Sequence, residues 1–213
     1  MNETIKRVFS GLIYVSIMWF CTSYSTLTFS ILFFIIGIIS FYEMLKLRHG
    51  KSKLIALLFV SIPFISIHFF GLFSLSNQNE LINSKIILFI FILTWTFDTF
   101  AYIFGINFGK RKIFPSISPK KSWEGFLGGL IFTLIASYIT TSIFFEIEIS
   151  KAMIISLFIP FTATLGDFTE SYYKRQAGVK DSGNFIPGHG GMLDRMDAFL
   201  FTIPLLYIYL TFL

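Results

Sequence analysis

Charge is scarce in this chain. Only 14% of its 213 residues are Asp, Glu, Lys or Arg, where a soluble domain would carry about 25%. Cysteine is scarcer still. Cys21 stands alone, which excludes an intramolecular disulfide and any thiolate zinc cluster and suits a small apolar filler. His189 has no second histidine or cysteine beside it, so it gives no basis for zinc, and His68 reads as a core histidine with a satisfied ring. No internal repeat, heptad run or low-complexity tail is present. A phosphate loop is excluded as well. Gly105 and Gly109 are separated by three residues, and Lys110 is followed by Arg111, whereas the Walker A pattern needs four residues and then Ser or Thr. Lys6 and Arg7 precede an apolar run with no small-x-small cleavage site before the next run, so this stretch is expected to be a retained first span.

What is abundant is apolar surface. The chain is 54% hydrophobic and 19% aromatic, with a mean hydropathy of +0.74. This predicts an all-α, polytopic helical membrane protein forming a single membrane domain over residues 1–213, because spans must pack on one another to satisfy their polar groups. The 29 phenylalanines suit lipid-facing positions and carry no functional assignment. Stretches long enough to cross about 30 Å of hydrocarbon fall at residues 8–24, 27–45, 54–73, 82–104, 125–145, 152–168 and 196–212, seven in all. The first two are nearly contiguous, so they form a tight hairpin or one of them is tilted or re-entrant. Residues 1–80 are the N-terminal spans, and residues 82–213 are the half expected to hold the chemistry.

Of the 17 lysines and arginines, all but Lys85 and Lys151 fall before the first span or in the segments after the second, fourth and sixth. Such an asymmetry predicts a cytoplasmic N-terminus and an outside C-terminus. Glu80, Glu146 and Glu148 then lie on the outer side. Polar chemistry has room in two cytoplasmic loops, residues 105–124 and 169–195.

Three constellations carry that chemistry. Asp98 sits inside the fourth apolar run with Tyr102 four residues on, hence on one helix face. An ionisable residue inside a membrane span points to function, the alternative being a carboxylate hydrogen-bonded to a neighbouring helix. Ser116, Ser118, Lys120 and Lys121 precede a fifth span opened by Ser122, and a helix N-terminus with lysines before it suits an anion. For Lys110, Arg111 and Lys112 the anionic lipid surface is an equal alternative. Gly125, Gly128 and Gly129 have the small-residue spacing of a close helix contact. In the sixth span Asp167, Glu170 and Ser171 stand at i, i+3 and i+4; in the seventh, Asp194 and Asp197 stand at i, i+3. Two acidic pairs at one depth repel unless a cation lies between them, and all-oxygen ligands favour Mg²⁺ or Mn²⁺. The competing reading is a salt-bridge network with Lys174, Arg175 and Arg195. Between the two pairs, Pro187-Gly-His189-Gly190-Gly191 is backbone able to approach a ligand closely.

Taken together, Ser171, Lys174-Arg175, Lys180-Asp181, Gly183, Ile186-Pro187, His189-Gly-Gly-Met192, Asp194-Arg195 and Asp197 resemble the signature of the phosphatidate cytidylyltransferases, the CDP-diacylglycerol synthases. Upstream, Asp98, Ala101-Tyr102, Gly105, Ser118-Pro119-Lys120-Lys121 and Glu124-Gly125 resemble the same family, so the likeness covers roughly the C-terminal half. Tyr173 departs from it, where an aliphatic residue or Phe is usual, and members of that family tend to be longer. The resemblance implies that CTP and phosphatidate give CDP-diacylglycerol and pyrophosphate at a bacterial-type inner membrane, by in-line attack of the lipid phosphate on the CTP α-phosphorus. It implies Asp167 and Asp194 as Mg²⁺ ligands (Mn²⁺ being the other candidate), with Asp197 and Asp98 next. Lys174, Arg175, Lys180 and Arg195 would hold phosphates, and Lys120, Lys121 and Ser118 would close over the nucleotide. Asp181, His189, Gly190, Gly191 and Tyr102 complete the expected site. Partners are the two substrates and membrane lipid, with no nucleic acid and with room for a homodimer. The alternatives are a CTP-dependent polyprenol or dolichol kinase and, less in keeping with charges crowded on one face, a transporter.

Overall fold

The structure, a computed structural model, describes residues 3–76, 80–144 and 147–212. Among them are seven helices: α1 (Glu3–Tyr24), α2 (Thr26–Leu47), α3 (Leu54–Ser76), α4 (Glu80–Phe108), α5 (Trp123–Ile143), α6 (Ile149–Gln176) and α7 (Leu193–Phe212). The protein is an all-α polytopic membrane protein. Among the described residues five helices are long and apolar enough to cross a membrane, within α1, α2, α4, α5 and α6. The described side chains of α3 include the apolar run Leu54–Phe69, and α7 carries Asp194, Arg195 and Asp197 in its opening turns. Glu146 lies outside the described residues, as do the side chains of Glu80 and Lys85.

The first two spans form a tight hairpin, because Ser25 alone separates α1 from α2. Its hydroxyl accepts from the Thr28 N–H (3.2 Å) while Thr28 Oγ1 accepts from the Ser25 N–H (3.2 Å), a reciprocal cap that satisfies two otherwise orphaned donors. α4 is the central helix. Ile86 to Phe91 are buried without a break, as expected for a helix apolar on every side. α5 lies close against it because its glycines leave room. A Cβ at Gly125 would fall 2.6 Å from the Ala101 carbonyl, and one at Gly129 would fall 2.7 Å from the Phe97 ring, so the predicted packing role of these glycines is what the structure contains. Gly166 does the same between α6 and α7, where a Cβ would collide with the carbonyl of Asp197.

Two boundaries differ from those expected of the sequence. Residues 169–195 are not loop throughout: α6 runs on to Gln176, so Lys174 and Arg175 lie on helix. Hydropathy marks where a span leaves lipid, not where its hydrogen bonding stops, and cations in a last turn favour the helix dipole. Residues 105–124 contain an antiparallel hairpin of β1 (Lys112–Phe114) and β2 (Ser118–Ser122), strands too short for alternation to reveal.

The segments rich in Lys and Arg meet at one end of the bundle. In the α2–α3 link, Arg48 donates to Gln176 Oε1 (2.5 Å) and Lys51 to the Gln176 carbonyl (2.6 Å), tying it to the end of α6. Lys121 of the hairpin pairs with Asp167 of α6. Ser10 of α1 reaches the Pro187 carbonyl at 2.8 Å.

Candidate active-site cavity

At this charged end α4, the hairpin, α5 and α6 enclose a cavity of about 610 Å³, within the usual 300–1,000 Å³ of small-molecule sites, on the order of a nucleotide or lipid headgroup. Its wall contains Asp98, Tyr102, Ser118, Lys120, Lys121 and Asp167, all expected from the sequence, together with Ser122, read there as the opening of the fifth span, and Thr164, which was not expected. Asp98 sits deep among helices yet is exposed, because its open surface is the cavity wall. The hairpin that presents the lysines is stitched in place. The Glu124 carboxylate accepts from the N–H groups of Lys110 (3.1 Å) and Arg111 (3.2 Å), and Ser122 caps α5 by accepting from the Gly125 N–H (3.2 Å). Lys110 is thereby committed to a loop contact through its backbone.

Beside the cavity, Asp167, Glu170 and Asp197 each offer a carboxylate oxygen, and these oxygens lie within 4.8 Å of one another. Gly166 makes this possible by letting α7 approach α6 at Asp197. Asp167 pairs with Lys121, and Glu170 pairs with Lys174. Asp197 accepts from the Ala198 N–H (2.8 Å) and pairs with no cation among the described residues. Glu170 is fully buried, and neither of its oxygens has a hydrogen bond of good geometry in addition to that ion pair. Lys174 pairs with Asp194 as well, so four carboxylates share two ammonium groups, leaving an excess of acidic groups and under-coordinated oxygens. Such an all-oxygen donor set fits a hard divalent cation.

Asp194, expected to bind metal alongside Asp167, is engaged otherwise. Its Oδ1 accepts from Lys174 Nζ (2.7 Å), and its Oδ2 accepts from the N–H groups of Ser182 (3.0 Å) and Gly191 (2.7 Å). Lys174 is buried between Asp194 and Glu170, while Arg175, Lys180 and Asp181 do not line the cavity. Arg175 donates to the Val179 carbonyl (3.1 Å).

The glycine turn is folded on itself. Ile186 and Gly190 form an isolated bridge, and Gly188 and Gly190 have φ of 79° and 87°, a region that L side chains rarely enter. Its amides are turned inward: Gly191 N–H goes to Asp194, and the N–H groups of Met192 and Leu193 go to Glu43 of α2 (3.1 and 2.8 Å). Arg195 Nη2 donates to the His189 carbonyl (2.8 Å). His189 Nδ1 faces Ser10 Oγ at 3.0 Å, and that hydroxyl donates to the carbonyl of Pro187 or Arg7, so its lone pair is available to an Nδ1–H. Partial burial, followed by the charges of Arg195 and Arg7, holds the His189 ring below the usual imidazole range. His68, as expected, finds its partner within the fold, its ring N–H donating to the carbonyl of Phe64 (2.7 Å) or of Ser30 (3.1 Å).

Glu43 and Ser10 are residues of this region that sequence reasoning missed. Glu43 is only 5% exposed although it stands near the end of a span. An acid inside the apolar run 27–45 was the available signal, the same one that singled out Asp98.

Fold and cavity together define an integral membrane protein whose polar groups are gathered at one end of a helical bundle. Residues 51–213 match the model of the Cytidylyltransferase family, and the chain belongs to that family. It is 44% identical over 152 residues to the phosphatidate cytidylyltransferase of Staphylococcus saprophyticus, covering 71% of this chain and 57% of that protein. To the phosphatidate cytidylyltransferase of Staphylococcus haemolyticus it is 47% identical over 125 residues (58% and 48%). To that of Haemophilus influenzae it is 44% identical over 124 residues (56% and 43%). The chain spans about half the length of the curated relatives it matches.

Proposed function

We propose that this protein transfers the cytidylyl group of CTP to phosphatidate, giving CDP-diacylglycerol and pyrophosphate, at the cytoplasmic face of a bacterial inner membrane. The observation that carries this reading is the cavity wall of Asp98, Lys120, Lys121 and Asp167, set against a three-carboxylate group with an excess of acidic over ammonium groups. Membership of the cytidylyltransferase family supports it, as do the activities named for its relatives. The convergence of the basic segments at one end of the bundle supports the cytoplasmic assignment, since Lys and Arg are retained on that side.

A phosphate oxygen of phosphatidate forms a bond to the α-phosphorus of CTP as the bridging oxygen to the β-phosphorus departs with pyrophosphate. Such a transfer asks for positioning and charge neutralisation rather than for a covalent nucleophile. Lys120 and Lys121, carried on a braced hairpin, take the nucleotide phosphates, and Lys121 exchanges its Asp167 partner for them as substrate enters. Asp167, Glu170 and Asp197 are the residues that would hold Mg²⁺ or Mn²⁺, which when bound offsets the negative charge of the phosphates. Asp194 keeps both oxygens for Lys174 and the 182–191 backbone and acts as an organiser of this group. Lys174 holds Glu170 and Asp194 in place rather than a phosphate.

The test is pyrophosphate release by the purified protein in detergent with CTP and phosphatidate. Release that requires both substrates is the expected result. Release of CDP with a phosphorylated lipid would replace this reading with that of a lipid kinase.

A further inference from the structure

Glu43 lies outside the stretch that matches the family model, yet it reaches into the signature loop of the last third of the chain. Oε1 accepts from the Met192 N–H, and Oε2 accepts from the Leu193 N–H and from Ser182 Oγ (2.8 Å). All three donors are neutral. Burying a carboxylate is costly unless its lone pairs are met, and the first N–H groups of a helix are donors with no partner inside the helix. Glu43 therefore takes, at the start of α7, the place a bound anion would fill. It shares the loop with Asp194, which takes the N–H groups of Ser182 and Gly191. Two glycines of the signature exist in the shape of this contact: a Cβ on Gly183 would collide with Glu43 Oε1, and one on Gly191 would lie 2.5 Å from Glu43 Oε2.

We propose that Glu43 is a positioning residue of the site, fixing the first turn of α7 so that Asp194 and Asp197 meet Lys174, Glu170 and Asp167 in register. This rests on the functional reading above. The α1–α2 hairpin is then part of the working machinery and not only a lipid-facing addition to it. A Glu43→Gln side chain of equal size offers one acceptor oxygen and turns an amide donor toward backbone donors, so the start of α7 loses its anchor while the apolar packing is unchanged.

Two readouts on the full chain test this. In hydrogen–deuterium exchange, peptides covering residues 182–193 should exchange faster in Glu43→Gln, with peptides of α4 and α5 unchanged. In the pyrophosphate assay, kcat should fall roughly ten- to a hundredfold, the range for misplacement by about 1 Å, with KM for CTP within about threefold because Glu43 does not line the cavity. Should Glu43→Gln not accumulate as folded protein, Gly183→Ala displaces the same carboxylate and should give the same pair of changes. Unchanged exchange at 182–193, or an unchanged kcat, overturns the proposal. A rise in KM alone also overturns it, since it would place Glu43 in substrate binding. A wild-type protein that releases no pyrophosphate overturns the functional reading instead, and the exchange result still judges Glu43.

Discussion

Asp167 and Asp194 carry the same carboxyl group in different company, and their substitution separates activity from stability. Asp167 has a side chain 27% exposed on the cavity wall, and its partners are Lys121 and the Ser171 hydroxyl (3.3 Å). Asp194 has a side chain only 6% exposed and meets Lys174 and two backbone N–H groups. Removing one member of a buried, hydrogen-bonded ion pair costs about 3–5 kcal/mol, because the other charge is left uncompensated. Asp194→Asn should therefore lower the detergent melting temperature by several degrees, on the order of 2–4 °C per kcal/mol, as well as abolishing pyrophosphate release. Asp167→Asn should abolish release while lowering the melting temperature less than Asp194→Asn does, since its pair with Lys121 is partly open to the cavity. Equal melting temperatures for the two variants would contradict these different roles.

Among the elements, α7 is held to α6 and α5 to α4 by glycines, and each contact has its own expected failure. Gly166→Ala would push the Asp197 carbonyl away from α6 and separate Asp197 from Asp167 and Glu170. The expected result is loss of activity with a folded protein. Gly129→Val would press on the Phe97 ring in a buried interface, where overpacking costs about 1–3 kcal/mol; a lower melting temperature by scanning fluorimetry in detergent checks it. Much at this level is legible in the sequence. The spacing of Gly125, Gly128 and Gly129 points to packing, and i, i+3 spacing alone places the acidic pairs of α6 and α7 on single helix faces. Spacing places residues on their own helix but not one helix against another. From spacing the two acidic pairs are expected to share a cation, and the resemblance singles out Asp167 and Asp194; in the fold the carboxylates of Asp167, Glu170 and Asp197 lie within 4.8 Å of one another. The role of Glu43 is hidden for the same reason, because its partners lie about 150 positions away.

For the whole molecule, the distribution of Lys and Arg along the chain marks one end of the bundle, and Arg48, Lys51 and Lys121 are found together at that end. On a Cys21→Ser background, a cysteine at Lys120 should react with a membrane-impermeant maleimide in inverted vesicles and be protected in intact cells. The reverse pattern would invert the proposed orientation. The hairpin that carries Lys120 is not legible in the sequence, since Lys112–Phe114 and Ser118–Ser122 are too short to show a strand period.

The link of one residue at Ser25 has a bearing on assembly. It joins α1 directly to α2, whereas the backbone donors that Glu43 requires lie at the start of α7. Without that helix in place Glu43 lacks the backbone donors that meet its carboxylate in the fold. The Glu43–Leu193 hydrogen bond (2.8 Å) closes a loop of long sequence separation, and contacts of that kind form late. Its formation would mark the moment at which the last helix has docked, so protection of the Met192 and Leu193 amides offers a clock for completed folding in the bilayer.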